Sequence, residues 1–115
     1  MANEYKAVAK HLPISAQKTR LVVDLVRGKD VVEALDLLKF VPNGAADPVH
    51  KVVRSAMINA EENFGISRNN LYVHKIFADE GRTLKRGRFG GRGRYKPRLR
   101  RYSHVTVILR ERDEN

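Results

Sequence analysis

The stretch Arg82-Thr-Leu-Lys-Arg-Gly-Arg-Phe-Gly-Gly-Arg-Gly-Arg-Tyr-Lys-Pro-Arg-Leu-Arg-Arg101 decides the architecture. Half of its residues are Lys or Arg and none is acidic. Arg92, Arg94, Lys96, Arg98 and Arg100 take every second position, with Gly93, Tyr95, Pro97 and Leu99 between them. Successive side chains of an extended strand point to opposite faces, so this spacing predicts one cationic row and one apolar or small row. Arg82, Arg86 and Arg88 keep the same parity on the outgoing side. The reversal is expected near Phe89-Gly90-Gly91, where glycines supply the backbone freedom of a tight turn. The reading is a β-hairpin of about ten residues per arm, reaching roughly 33 Å at ~3.3 Å per residue. A two-stranded ribbon is marginal in water and a block of one charge repels itself. A polyanion would relieve both penalties.

Moving outward, the segments on either side turn β-rich: Leu71 to Asp79, and Val105 to Leu109. Before them lie three helical patterns. Val49, Val52, Val53, Ala56, Met57, Ala60 and Phe64 form an amphipathic stripe, with Pro48 in the first turn and Gly65 as the stop. Asp30 with Glu33 resembles a capping box that opens a shorter helix to about Phe40, with Val31, Leu35 and Leu38 inward; Pro42-Asn43-Gly44 breaks it. Ser15 is the expected N-cap of Ala16 to Arg27, with Val22, Leu25 and Val26 on one face and Gly28 at the end. Tyr5 to Leu12 alternates loosely and could form a short strand. At 115 residues the chain is read as one domain. Its body is 1–80 and 103–110, its basic hairpin about 80–103, and its tail 111–115.

The net charge of +10 is not spread along the chain. Residues 1–80 hold 11 basic and 10 acidic side chains, whereas residues 81–110 hold 11 basic and no acidic ones. Nucleic acid is the expected partner. The candidate phosphate contacts are Arg82, Lys85, Arg86, Arg88, Arg92, Arg94, Lys96, Arg98, Arg100 and Arg101. Arg outnumbers Lys there, and its planar fork suits both phosphate and stacked bases. Phe89, Tyr95 and Tyr102 are candidate base-stacking residues. A weaker basic site is Lys18 and Arg20, with Arg27, on the first helix, where Ser15 and the helix N-terminus could receive a phosphate.

Other classes find little support. A membrane surface would need a broad apolar face, and the hairpin offers only Phe89, Tyr95 and Leu99. No signal peptide or membrane-length apolar run is visible, and the absence of Cys fits a reducing compartment. His11, His50, His74 and His104 are scattered without metal-ligand spacing. Glu61-Glu62 and Asp79-Glu80 are sequence neighbours whose side chains diverge. Gly87 to Gly93 is neither GxGxxG after a strand nor a phosphate-binding P-loop. No enzyme, cofactor, metal or small-molecule substrate is therefore expected.

Several ordered stretches identify a resemblance: Ser15-Ala-Gln-Lys18-Thr-Arg20-Leu-Val, Val26-Arg27-Gly28-Lys29, Ser55-Ala56 with Asn59-Ala60-Glu61, Lys75-Ile-Phe-Ala-Asp-Glu80-Gly81, Leu84-Lys85-Arg86, Gly93-Arg94 and Ser103-His104-Val105-Thr106-Val107. Over nearly its whole length the chain resembles the large-subunit ribosomal protein family numbered twenty-two, in its bacterial and organellar form. The resemblance implies an α+β body of three helices on a small three-stranded antiparallel sheet, with a long protruding β-hairpin. It implies a structural protein of the cytoplasmic ribosome, bound to large-subunit rRNA and to neighbouring ribosomal proteins. The body would lie near the polypeptide exit. The hairpin tip, Arg88, Phe89, Gly90, Gly91, Arg92, Gly93 and Arg94, would face the nascent polypeptide in the tunnel, and Lys18 and Arg20 would be body contacts. A role early in subunit assembly is also implied. The alternative from the residues alone is a free-standing nucleic-acid chaperone or binding module.

Overall fold

The central strand of the sheet is the last in sequence, and everything else registers against it. The computed structural model describes residues 3–89 and 95–112, with the backbone alone for 82–89 and 95–100. Strand β1 is Glu4–Leu12, helices α1, α2 and α3 are Ala16–Val26, Val31–Leu38 and Ala46–Phe64, and a short 3-10 turn spans Arg68–Asn70. Strands β2 and β3 are Leu71–Phe89 and Tyr95–Glu111, and the antiparallel order is β1-β3-β2. This is the α+β arrangement of three helices on a three-stranded antiparallel sheet that the resemblance implied. The molecule measures 69 × 26 × 20 Å.

Three cross-sheet rows make the helix-facing side of the sheet. They are Tyr5–Leu109–Val73, Ala7–Val107–Ile76 and Ala9–Val105–Ala78. Tyr5, Val73, Ile76, Val105, Val107 and Leu109 are each at most 2% exposed. Against them pack Val22, Val23 and Val26 of α1, Val31 and Ala34 of α2, and Val49, Val53, Ala56 and Met57 of α3. A bulge between Val73 and Lys75 inserts one extra residue in β2. It shifts β2 by half a pleat, so that inward positions pass from 71 and 73 to 76 and 78. Without it Ile76 would point to solvent. The next row, Leu12–Ser103–Glu80, is no longer apolar. There the buried Ser103 hydroxyl lies 3.1 Å from that of Thr19 on α1, which also donates to the Ser15 carbonyl at 3.0 Å.

The ends of the helices follow their sequence signals, with exceptions. Ser15 caps α1, its hydroxyl accepting from Lys18 N–H. Gly28 and Gly65 adopt positive φ at +81° and +67°, as helix-terminating glycines do. The Asp30–Glu33 capping box does not form. Asp30 occupies the N-cap with no side-chain cap bond, and its carboxylate pairs instead with Arg112. A charged guanidinium is a stronger donor to a carboxylate than a helix amide. Glu33 faces Lys29 Nζ at 3.6 Å. Arg112 also lies 4.6 Å over the Tyr72 ring, so the residue that follows β3 is clamped onto the α1–α2 turn.

Three expected core positions differ. Leu25 is 44% exposed, because the inward face of α1 is Thr19, Val22, Val23 and Val26, and Leu25 is turned away from it. Phe64 is 56% exposed at the last position of α3, with its ring tilted against that of Tyr5 at 5.1 Å between centroids. Leu35 is half-buried, and α2 ends at Leu38, which leaves Phe40 in solvent.

The outer edge of β2 is covered in sequence order. Val73 exchanges backbone bonds with the α1–α2 turn, accepting from Gly28 N–H at 3.0 Å and donating to the Lys29 carbonyl at 2.8 Å. Arg27 then donates to the Ile76 carbonyl at 2.8 Å and Arg20 Nε to the Ala78 carbonyl at 3.0 Å. Side-chain arginines thus satisfy acceptors that would otherwise invite another strand. At the opposite edge, the Arg110 guanidinium of β3 donates through Nε to Glu4 Oε1 of β1 at 3.2 Å. That hydrogen bond holds the Glu4 carboxyl below the ordinary carboxylate range.

Candidate nucleic-acid interface

Beyond Ser103 the two strands leave the helices and β1, but their pairing continues. The register runs Thr83↔Arg101, Leu84↔Arg100, Lys85↔Leu99, Arg86↔Arg98, Gly87↔Pro97, Arg88↔Lys96 and Phe89↔Tyr95. Directly opposed positions of an antiparallel pair share a face. Positions 86, 88, 96, 98 and 100 therefore share one face, and 85, 87, 89, 95, 97 and 99 share the other. The even-numbered cations from Arg86 to Arg100 among the described residues fall in one row, as parity predicted, but Leu84 joins that row at Arg100, and Lys85 and Arg101 belong to the other. β3 carries no extra residue along its length, so its even positions continue the helix-free side of the sheet.

Like-charged residues stand opposite one another at Arg86↔Arg98 and Arg88↔Lys96. Such pairs destabilise a ladder in isolation. The arrangement is electrostatically sensible only with a counter-charge laid along the ribbon. Arg82, expected in the same row, falls inside a second β2 bulge between Glu80 and Thr83 and has no directly opposed partner. Phe89 is a strand residue. The turn expected at Phe89-Gly90-Gly91 is otherwise outside the described residues, as are the tip positions Gly90, Gly91, Arg92, Gly93 and Arg94.

Gly81 lies within the second bulge. A Cβ on Gly81 would lie 3.2 Å from the Tyr102 carbonyl carbon and 3.1 Å from the His104 ring. Glycine lets the strands close at this point. His104 in turn accepts the His11 N–H on Nδ1 at 3.1 Å, and the two rings meet edge-on at 5.0 Å. His11 itself has φ +60°, in the left-handed region that few non-glycine residues enter. The hairpin root is therefore a built junction with an extra residue in each outer strand, between Ala9 and Leu12 and between Glu80 and Thr83. Nothing in the spacing of His11 and His104 along the chain indicated this contact.

At the root the structure gathers candidates that are far apart in sequence. Lys18 from the first turn of α1 and Arg101 and Tyr102 from β3 line one cleft of about 790 Å³, with Asn43 and Gly44 of the α2–α3 turn opposite. Arg20 points elsewhere: its Nε is engaged by the β2 edge, as is the Arg27 guanidinium, which also pairs with Asp24 at 2.6 Å. Both side chains remain solvent-accessible. Sequence reading took Asn43 for part of a helix breaker and Glu80 only for a carboxylate diverging from its neighbour Asp79. Their place at the root is a property of the tertiary fold.

Residues 7–110 match the protein family described as Ribosomal protein L22p/L17e. The chain is also similar to the large ribosomal subunit protein uL22 of Pediococcus pentosaceus, 49% identical over 109 residues, which cover 95% of this chain and 92% of the relative. With a three-helix, three-stranded body, a paired basic arm and this match over nearly the whole length, the chain belongs to the L22p/L17e family of ribosomal proteins.

Proposed function

We propose that this chain is a structural rRNA-binding protein of the large ribosomal subunit. Its body, residues 1–80 and 103–110, sits near the polypeptide exit. Its hairpin, about 80–103, contacts several rRNA domains and lines the nascent-chain tunnel. The observation that carries the reading is the continuation of the β2–β3 register to Phe89↔Tyr95, with cations at directly opposed positions. Its action is electrostatic and geometric. Lys and Arg neutralise phosphates where RNA segments converge, and a ribbon only two strands wide occupies a channel too narrow for a packed domain. Large-subunit rRNA, neighbouring ribosomal proteins and the nascent polypeptide are the partners, and binding occurs early in assembly. No chemistry is assigned to any residue. Among the described residues no helix is long and apolar enough to cross a membrane.

The test replaces residues 84–98 with a short turn and follows both chains through a sucrose gradient of cell extract. The full chain is expected to co-sediment with large subunits, and the shortened one to leave immature particles. Migration of the full chain away from ribosomes would favour a free-standing nucleic-acid chaperone. Normal particles assembled around the shortened chain, with the vacated space unchanged, would overturn the hairpin's role.

A further inference from the structure

The side of the sheet that carries no helix is not uniformly polar. Its cross-strand rows are Glu4–Arg110–Tyr72, Lys6–Ile108–Lys75 and Val8–Thr106–Phe77, with His104 opposite Asp79 in the row nearest the root. In the apolar row Val8 is 42% and Phe77 39% exposed, on either side of a buried Thr106. Lys6 and Lys75 are exposed in the adjacent row. Among the described residues, neither lysine is in an ion pair, and no ring or guanidinium stacks on Phe77. Tyr72, on the same side, is already engaged by Arg112 over its ring and by His74 at its edge. Of the two carboxylates on this side, Glu4 is held by Arg110, and Asp79 lies beyond Phe77 from Lys75.

We propose that the helix-free face of the body is a platform for single-stranded RNA, with an unpaired base stacked on Phe77 beside Val8 and its phosphates held by Lys6 and Lys75. The proposal deepens the rRNA-binding reading and rests on it. An open sheet face reads unpaired bases by offering them an exposed aromatic ring, and cations beside the ring hold the backbone. Phe77 is the unengaged ring here, and the neighbouring lysines are the unengaged cations. A duplex keeps its bases stacked inside and would leave Phe77 in water. A protein partner would have to bury both lysines against carboxylates of its own. The position of this face also fits a strand that follows the arm. β3 gains no extra residue along its length, so Thr106 and Ile108 lie on the same side of the ladder as positions 96, 98 and 100. The six residues from Arg100 to Thr106 span roughly 20 Å at ~3.3 Å each.

Local readouts separate this face from the arm. The full chain, isotopically labelled, is titrated with a short oligoadenylate and with tripolyphosphate while backbone amide shifts are followed. Oligoadenylate is expected to give saturable shifts at Lys6, Val8, Phe77 and Thr106. Phe77→Ala should raise the half-saturation of those shifts about tenfold, the scale of one lost base stack, and leave tripolyphosphate unaffected. Phe77→Leu keeps the hydrocarbon and removes the ring, so it should weaken oligoadenylate to a similar degree. Replacing Lys6 and Lys75 together by Gln should make the salt dependence at these amides shallower by about 1.4, the share of two single-strand phosphates. The chain has no Trp, so Phe77→Trp places a single fluorophore in the platform, and oligoadenylate should quench it where tripolyphosphate does not. Shifts confined to residues 82–101, or a Trp emission that oligoadenylate leaves unchanged, would overturn the platform. So would Phe77→Leu binding like wild type, which would mark an apolar contact of the kind another protein makes. A chain that fails these tests yet sediments with large subunits loses the platform alone. A chain absent from large subunits loses the ribosomal reading.

Discussion

The two halves of the β2–β3 pair share one ladder and solve opposite problems. Between Leu71 and Ala78 and between Val105 and Leu109, alternate residues are apolar, and α1, α3 and β1 bury them. Between Arg86 and Phe89 and between Tyr95 and Arg100, every second position is cationic, and β1 no longer pairs alongside. The first half is held by removing hydrocarbon from water. The second pairs like charges, and on the proposed reading its counter-charge is that of the RNA. A period-two pattern therefore specifies a strand in both cases, and the chemistry of the repeated residue decides whether its partner is intramolecular.

That contrast can be broken at four points. The largest effect belongs to the arm. Neutralising Arg86, Arg88, Lys96 and Arg98 together should make the slope of log K against log[salt] shallower by about 3, and reduce RNA affinity on the order of 10³-fold near 0.1 M salt. For the intact chain, six to ten neutralised phosphates correspond to a slope of roughly −4 to −9. Filter binding across a salt series measures both, and an unchanged slope would remove the arm from the interface. The unfolding midpoint of the quadruple variant should not fall.

The body reverses this pairing of effects. Leu71 is fully buried, and Leu71→Ala should cost about 2–5 kcal/mol in urea unfolding, the usual range for a large-to-small core change. RNA affinity of the folded fraction should hold. Arg20→Ala sharpens the boundary between the two halves. It exposes the Ala78 carbonyl on the sheet edge, and a loss of ~1–2 kcal/mol is expected for a charged donor to a backbone acceptor at a part-buried site. If stability holds while RNA binding drops, Arg20 belongs to the interface and not to the edge.

The smallest effect is at Glu4. Its carboxyl is held below the ordinary range chiefly by the hydrogen bond from Arg110. A depressed carboxylate stabilises the fold above its unfolded-state value, and that contribution is lost as pH falls through the folded-state value. Melting curves of wild type and Glu4→Gln should therefore differ slightly at neutral pH and converge in acid. A gap that widens on acidification would contradict the ion pair.

Much of this was legible in the chain. The cationic alternation at 92–100 and the glycines near 90 specify an extended arm, because only a period of two separates those residue types. The α3 stripe reads as a helix for the equivalent reason at a longer period. Even the bulge at position 74 leaves a trace, since Leu71, Val73, Ile76 and Ala78 slip by one where strict alternation would continue. What misled was local chemistry with a remote competitor. Asp30 matches a cap motif, yet Arg112 at the far end of the chain engages it. Leu25 is apolar but sits outside the inward stripe, and Arg20 reads as a free cation but closes a sheet edge.

By itself the sequence determined the element types, their order, and the segregation of charge into one segment, because backbone periodicity and composition are local and need no partner. Only the tertiary structure decided that His11 touches His104, that arginines close the β2 edge, and that Lys18, Glu80, Arg101 and Tyr102 surround the hairpin root. Those contacts join residues dozens of positions apart, and they depend on where each strand gains its extra residue. A shift of one residue in register re-aims every side chain beyond it, and packing against the helices is what selects the register.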